Sequence, residues 1–259
     1  MEYDANRIRP CRDFLTRLEL IFQDFEGGMT PPVPYRQGDG YVLRFSKKDV
    51  HHAMLLKLAA LLQFLNGAIQ VCEAGLVMAQ GALERMADEA GDDATFLALG
   101  ILHGMTSRHE DFLAAFWADD HLDPADVTEV KKPRQVRREK IHAALHKDWE
   151  DPSTAGKIAK RLSATYSGFV HAAAPNVMEM YDHRDGRFKV SAGPDFRRKE
   201  HEHDLWNYFY RGGLTFIAAA KAFGSQPHVD TLEAAIIKFQ DDSARYGGYG
   251  PDPLLGGST

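Results

Sequence analysis

The sequence predicts an all-α fold: a helical bundle built on two long antiparallel helices, with shorter packed helices and at most a small two-stranded ribbon. Three observations carry this. Segment 46–90 contains no proline and keeps helical spacing of apolar residues throughout. The same spacing recurs over 4–26, 93–118, 153–174, 195–222 and 228–245. Strand character is confined to two short runs, Tyr41-Val42-Leu43 and Phe188-Lys189-Val190.

Each element follows from its residues. In 4–26, Phe14, Leu18, Ile21, Phe22 and Phe25 share one side, and Gly27-Gly28 ends the helix. Thr30-Pro31-Pro32-Val33-Pro34 forces an extended connection, and Gly38-Asp39-Gly40 makes a turn. Ser46 is the expected N-cap of the first long helix, with a kink near Gly67 or Gly75 and His51-His52 as a surface pair at its start. The second long helix is expected over 93–118 and ends at Asp119-Asp120-His121-Leu122-Asp123-Pro124. Pro175 breaks or restarts the helix of 153–174. His183 to Val190 reads as a turn and a strand, paired with 41–45. Residues 1–245 are expected to form one domain, followed by a Gly/Pro-rich tail over 246–259.

Composition narrows the class of protein. With 259 residues, 44% hydrophobic and 26% charged, the chain can bury a large core without disulfides. Disorder, collagen and disulfide scaffolds are excluded. A net charge of −6 argues against nucleic-acid binding through the overall field, though not through a local patch. Cys72 lies in an apolar helical run far from Cys11, as a small buried hydrophobe would. Met1-Glu2-Tyr3-Asp4 lacks the basic and apolar regions of a signal peptide, so the expectation is cytoplasmic. Residues 53–79 are long and apolar enough to span a bilayer. Lys57, Gln63, Asn66, Gln70 and Glu73 interrupt them, which favours a buried helix and no membrane.

Charge is segregated along the chain. Lys131, Lys132, Arg134, Arg137, Arg138, Lys140 and Lys147 face a single acid, Glu139, within 131–147. That segment is the expected face for RNA or an acidic protein partner, with Lys131, Lys132, Arg134 and Arg138 as contacts; a solvated surface is the plain alternative. In the first long helix Gln63, Asn66, Gln70, Glu73, Gln80 and Glu84 form a thin polar stripe. It is either an exposed edge or an interior seam. If interior, Glu73 needs a partner such as Arg161.

Tyr166-Ser167-Gly168-Phe169-Val170-His171 is the most informative segment. Ser163, Ser167 and His171 form a stripe at i, i+4, i+8 able to line a cleft together with Tyr166. His171 sits in the last turn, where helix carbonyls favour an imidazolium able to act as a general acid; a packed structural histidine is the alternative. With Ala174-Pro175 and the Met-rich turn to Tyr181, this run resembles a group of all-helical bacterial proteins of uncharacterised role. That group is similar to the HEPN-like helical families, which include abortive-infection proteins and toxins.

The resemblance implies a helical homodimer and, in active HEPN ribonucleases, an Arg, four to six intervening residues, then a His. Arg137 to His142 fits that spacing, as does Arg198 to His203, whereas Arg161 to His171 is too long. Arginine would stabilise phosphorane charge and histidine would move the proton, without metal or other cofactor. Arg137, His142 and His171 are thus the catalytic candidates for RNA cleavage in stress or phage defence. Two alternatives stand beside this one. One is a non-catalytic interaction module. The other is a carboxylate-His metal bundle using Glu139/His142 and Glu200/His203, with Glu73 and Glu110 or Glu179 as further carboxylates. No phosphate loop, Cys-x-x-Cys, Gly-x-Ser-x-Gly or His-Glu-x-x-His pattern occurs.

Overall fold

The computed structural model describes residues 5–118, 135–147, 151–193 and 195–247, and the fold is all-α. Lys131, Lys132, Arg134, the expected 119–124 loop and residues 248–259 lie outside the described residues. A 3-10 turn, Ala5–Ile8, leads into α1 (Arg9–Gly27), whose buried stripe contains Phe14, Leu18, Ile21 and Phe25 as the spacing predicts. The antiparallel ribbon β1 (Val33–Gln37) and β2 (Gly40–Arg44) follows. The remaining helices are α2 (Val50–Glu73), α3 (Val77–His103), α4 (Ser107–Ala118), α5 (Arg138–Leu145), α6 (Pro152–Val170), α7 (Ala174–Val177), α8 (Arg198–Ala222) and α9 (Gln226–Ala244). A second ribbon, β3 (Tyr181–Asp182) with β4 (Arg187–Phe188), lies between α7 and α8.

The expected 46–90 helix is two helices. Gly75, at φ +70°, reverses the chain in the three residues between α2 and α3, so these form the central antiparallel hairpin. Only glycine takes that conformation without a Cβ clash. α3 then runs unbroken through 93 and stops at Gly104, φ +102°, separating it from α4. The N-cap of α2 is Asp49 rather than Ser46: its carboxylate accepts from the His52 backbone at 3.0 Å and contacts His52 Nδ1 at 2.7 Å. His52 is consequently buried rather than a surface residue. Residues 41–44 pair with 33–36, not with the strand near 188, because the Gly38 turn brings the nearer segment into register.

α2 supplies the centre of the core, with Met54, Leu58, Leu65, Ala68 and Ile69 fully buried among α1, α3 and α8. By length and composition it could cross a membrane; here its apolar residues pack inside the bundle. Cys11 and Cys72 are free and buried, and burial pushes the Cys72 thiol up to about 12. Phe14 stacks on Phe239 at 5.0 Å and Phe25 on Phe223 at 4.6 Å, which ties α1 to the C-terminal helices.

α6 packs on α3 through one close contact. A Cβ at Gly81 would lie 2.5 Å from the Phe169 ring, so Gly81 is the socket for that ring. Gly81→Ala is expected to lower unfolding free energy by about 1–3 kcal/mol through overpacking. Gly156→Ala, in α6 with nothing within 4 Å, is expected to be neutral or stabilising by up to about 1 kcal/mol. Urea unfolding of the two variants checks both, and equal effects would contradict the socket.

Candidate functional site

The site grows out of α3. Gln80, Glu84, Asp88 and Asp92 recur every four residues and so share one helix face, with Arg85, Glu89 and Asp93 on the adjoining face. These side chains enter a bundle interior where a charge must be neutralised or paired. The partners come from other helices. Arg211 of α8 pairs with Asp88; His142 Nε2 of α5 meets Asp92 Oδ2 at 3.0 Å. Asp93 is held at 2.7 Å by Arg138 of α5 and at 2.8 Å by Lys57 of α2.

The two ends of this seam differ in chemistry. Glu84 is fully buried, receives a 2.8 Å hydrogen bond from the Gln80 amide, and keeps its second oxygen without a partner. The same amide nitrogen donates to the His201 carbonyl at 2.6 Å. Burial, with Asp204 adding, pushes the Glu84 carboxyl well above the usual range. Next to it the Tyr166 hydroxyl shares hydrogen bonds with Asp204 and Tyr208, and the two rings meet edge to face at 5.2 Å. Burial raises Asp204 as well, against the opposing hydrogen bond from Tyr166. Further along, burial and Asp92 push Asp88 up while Arg211 and Arg85 oppose them, leaving it at about 6.

That second end opens into a cavity of about 380 Å³ between α3, α5 and α8. Asp88, Asp92, Thr95, His146, Tyr208 and Arg211 are among its polar lining residues, and Leu61, Leu145 and Leu214 among the apolar ones. Thr95 and Thr215 hydroxyls lie 3.3 Å apart across the α3–α8 seam, where Gly91 lets the helices approach; Gly212 does the same for α8 against Leu65 of α2.

The expected site residues are dispersed. His142 is buried and Arg138 half-buried, both on the face of α5 that docks on α3, while Arg137 precedes the helix and is exposed. Arg137, His142 and His171 therefore do not converge: His171 is exposed at the far end of α6. Glu73 pairs with Arg12 of α1, not with Arg161, because α2 lays that end of the stripe against α1. Arg161 is exposed. In the polar stripe Gln63 and Gln70 are exposed, Asn66 and Glu73 half-buried, and only Gln80 and Glu84 interior. Ser163 and Ser167 are half-buried, and neither they nor His171 line the α3–α5–α8 cavity.

The proposed metal ligands are also apart. Glu139 pairs with Lys160, Glu200 with Arg197, Glu179 with Arg197, and His203 stacks beside Trp206. Among the described residues no three His, Cys, Asp or Glu side chains are grouped to hold a metal ion.

Packing accounts for most of the Tyr166–His171 motif. Tyr166 bonds Asp204, and Phe169 fills the Gly81 socket. Gly168 admits Asn176, whose Oδ1 would lie 2.0 Å from any Cβ there. Ala172 adopts a left-handed conformation, φ 51°, and the Ala173 N–H donates to the Gly168 carbonyl at 2.8 Å, closing a Schellman-type cap just after His171.

No family model matches the chain, and neither a curated protein nor a solved structure matches it. The class is thus set by the chain's own geometry: a helical bundle with a paired acidic seam, a cavity with charged lining between α3, α5 and α8, and a basic outer surface on α5 and α6.

The Glu84 carboxyl sets a pH prediction. Its folded pKa lies above the unfolded one, so the folded state holds a proton that the unfolded state releases above about pH 4.5. Stability from this group is complete below that pH and falls as pH rises toward the folded pKa. Glu84→Gln is expected to keep the fold and to remove a slope of about 1.4 kcal/mol per pH unit from that window. Urea unfolding from pH 4 to 8 measures it; parallel profiles for the two proteins would contradict a protonated Glu84.

Proposed function

We propose that this protein is an RNA-directed helical protein that binds RNA phosphates on the outer surface of α5 and α6. One observation carries the reading. Residues 131–161 hold ten Lys and Arg against four Asp and Glu, in a chain with 31 and 37 overall. Arg137, Lys140, Lys147, Lys157, Lys160 and Arg161 are all exposed on this helix pair, and the 3.4 Å Lys160–Glu139 contact joins the two helices. A local cationic surface on an otherwise acidic protein favours a polyanion there and repels it elsewhere. The mixed sign and small size of the α3–α5–α8 cavity do not suit a polynucleotide.

Cleavage needs a histidine that RNA can reach. His142, buried against Asp92, does not offer one; His171 does. At 100° per residue it lies on the same side of α6 as Lys157 and Lys160, about 21 Å along from Lys157. Arg161 is ten residues from His171, about 15 Å, too far for both to touch one phosphodiester within a chain. The arginine of an active pair would come from a second copy, in keeping with the homodimer that the resemblance implies.

The test is fluorescence anisotropy of labelled single-stranded RNA across a salt series. The double variant Lys157→Gln/Arg161→Gln is expected to bind more weakly, with a log K against log salt slope shallower by about 1.4. Lys221→Gln, an exposed lysine on α8, leaves both unchanged. Absence of RNA binding at low salt, or binding indifferent to the double variant, contradicts the proposal and favours the interaction module with an acidic protein partner. The same preparations in EDTA report cleavage, which His171→Ala is expected to abolish, and light scattering reports the dimer.

A further inference from the structure

We infer that the cavity between α3, α5 and α8 binds a small zwitterion, a free α-amino acid with an aliphatic side chain. The inference is independent of RNA binding. Its first support is size: about 380 Å³ lies in the range of pockets that enclose small ligands, roughly 300–1,000 Å³.

The second support is the arrangement of charge. Asp88 is already paired with Arg211, and Asp92 Oδ2 meets His142 Nε2 at 3.0 Å, so groups of both signs stand side by side at this wall. A ligand bearing one charge would meet repulsion from half of this wall and leave an excess charge in a partly desolvated site. A ligand bearing both extends the existing pairs. Its carboxylate takes the Arg211 guanidinium, which contacts Asp88 through one nitrogen and has about a third of its surface open, 34%. Its ammonium lies by the Asp88 and Asp92 carboxylates, one turn apart on α3.

The apolar wall completes the fit. Leu61, Leu145 and Leu214 come from three different helices and line the same space as the charged side chains. They give an aliphatic side chain a dry surface, worth about 25 cal/mol per Å² buried. Neither feature is explained by packing alone, since a purely structural Asp88–Arg211 pair needs no open volume beside it.

L-leucine is the probe, followed by calorimetry and by backbone amide shifts. Leucine is expected to bind saturably and to move the Gly91 and Gly212 amides, which sit at the cavity wall. The two halves of the molecule, 3-methylbutylamine and 4-methylpentanoate, are expected to bind at least about tenfold more weakly. Arg211→Lys, which keeps the charge but loses the planar fork, is expected to weaken leucine about tenfold. Leu214→Trp, at an exposed position in the mouth, is expected to do the same without disturbing the core. No binding at millimolar leucine, binding of either half as tight as the whole, or shifts that bypass Gly91 and Gly212 would overturn the inference. RNA titration of the same proteins separates this outcome from that of the basic surface.

Discussion

The need to neutralise the carboxylates of α3 is the constraint on which the remaining architecture depends. A helix that carries Glu84, Asp88, Asp92 and Asp93 into a bundle imposes a desolvation cost of several kcal/mol for each unpaired charge. Glu84 answers by holding its proton. The others answer by recruiting partners from outside α3: the cations Lys57 of α2, Arg138 of α5 and Arg211 of α8, and the His142 imidazole of α5. Hydrophobic burial holds α2 and α8 in place regardless of these pairs. It does so far less for α5, an eight-residue helix too short to persist alone, which buries Ile141 and His142.

Both proposed surfaces follow from where α5 is fixed. Its inner side supplies Leu145, and His146 just beyond it, to the cavity wall; its outer side presents Lys140 beside the lysines of α6. The Arg138–Asp93 and His142–Asp92 contacts therefore fix both faces of α5 at once. Along α3 the environment changes from the dry, proton-holding Glu84 to the half-open Asp88 and Asp92. The open volume lies at the second end, beside Asp88 and Asp92.

Helices with a single apolar stripe are legible in the sequence, since α1, α6, α8 and α9 each show it; Gly27 marks a real end, and Pro175 a restart in the first turn of α7, after α6 has ended at Val170. The reversal at Gly75 is not. The glycine sits in an apolar run without proline, and a kink and a full turn have the same local pattern. A helix ending near 90 hides the continuation of the polar stripe beyond Glu84. Extending the same i, i+4 spacing to Asp88 and Asp92 would have reached the cavity. Arg12 as the partner of Glu73, and Asp92 as that of His142, are long-range pairings with no local signature. The basic segment was read by counting charge. Its phase, with Arg138, Ile141, His142 and Leu145 on one side of α5, already separates the docked residues from the exposed ones.

Hydrogen exchange of Arg138→Met tests the central claim most directly, because methionine keeps the aliphatic contact and removes only the guanidinium that Asp93 requires, while Lys57 stays with Asp93. The account predicts that amide protection falls selectively within α5, with α2, α3 and α8 protected as before. Unchanged protection of α5, or a uniform loss across the bundle, would contradict it.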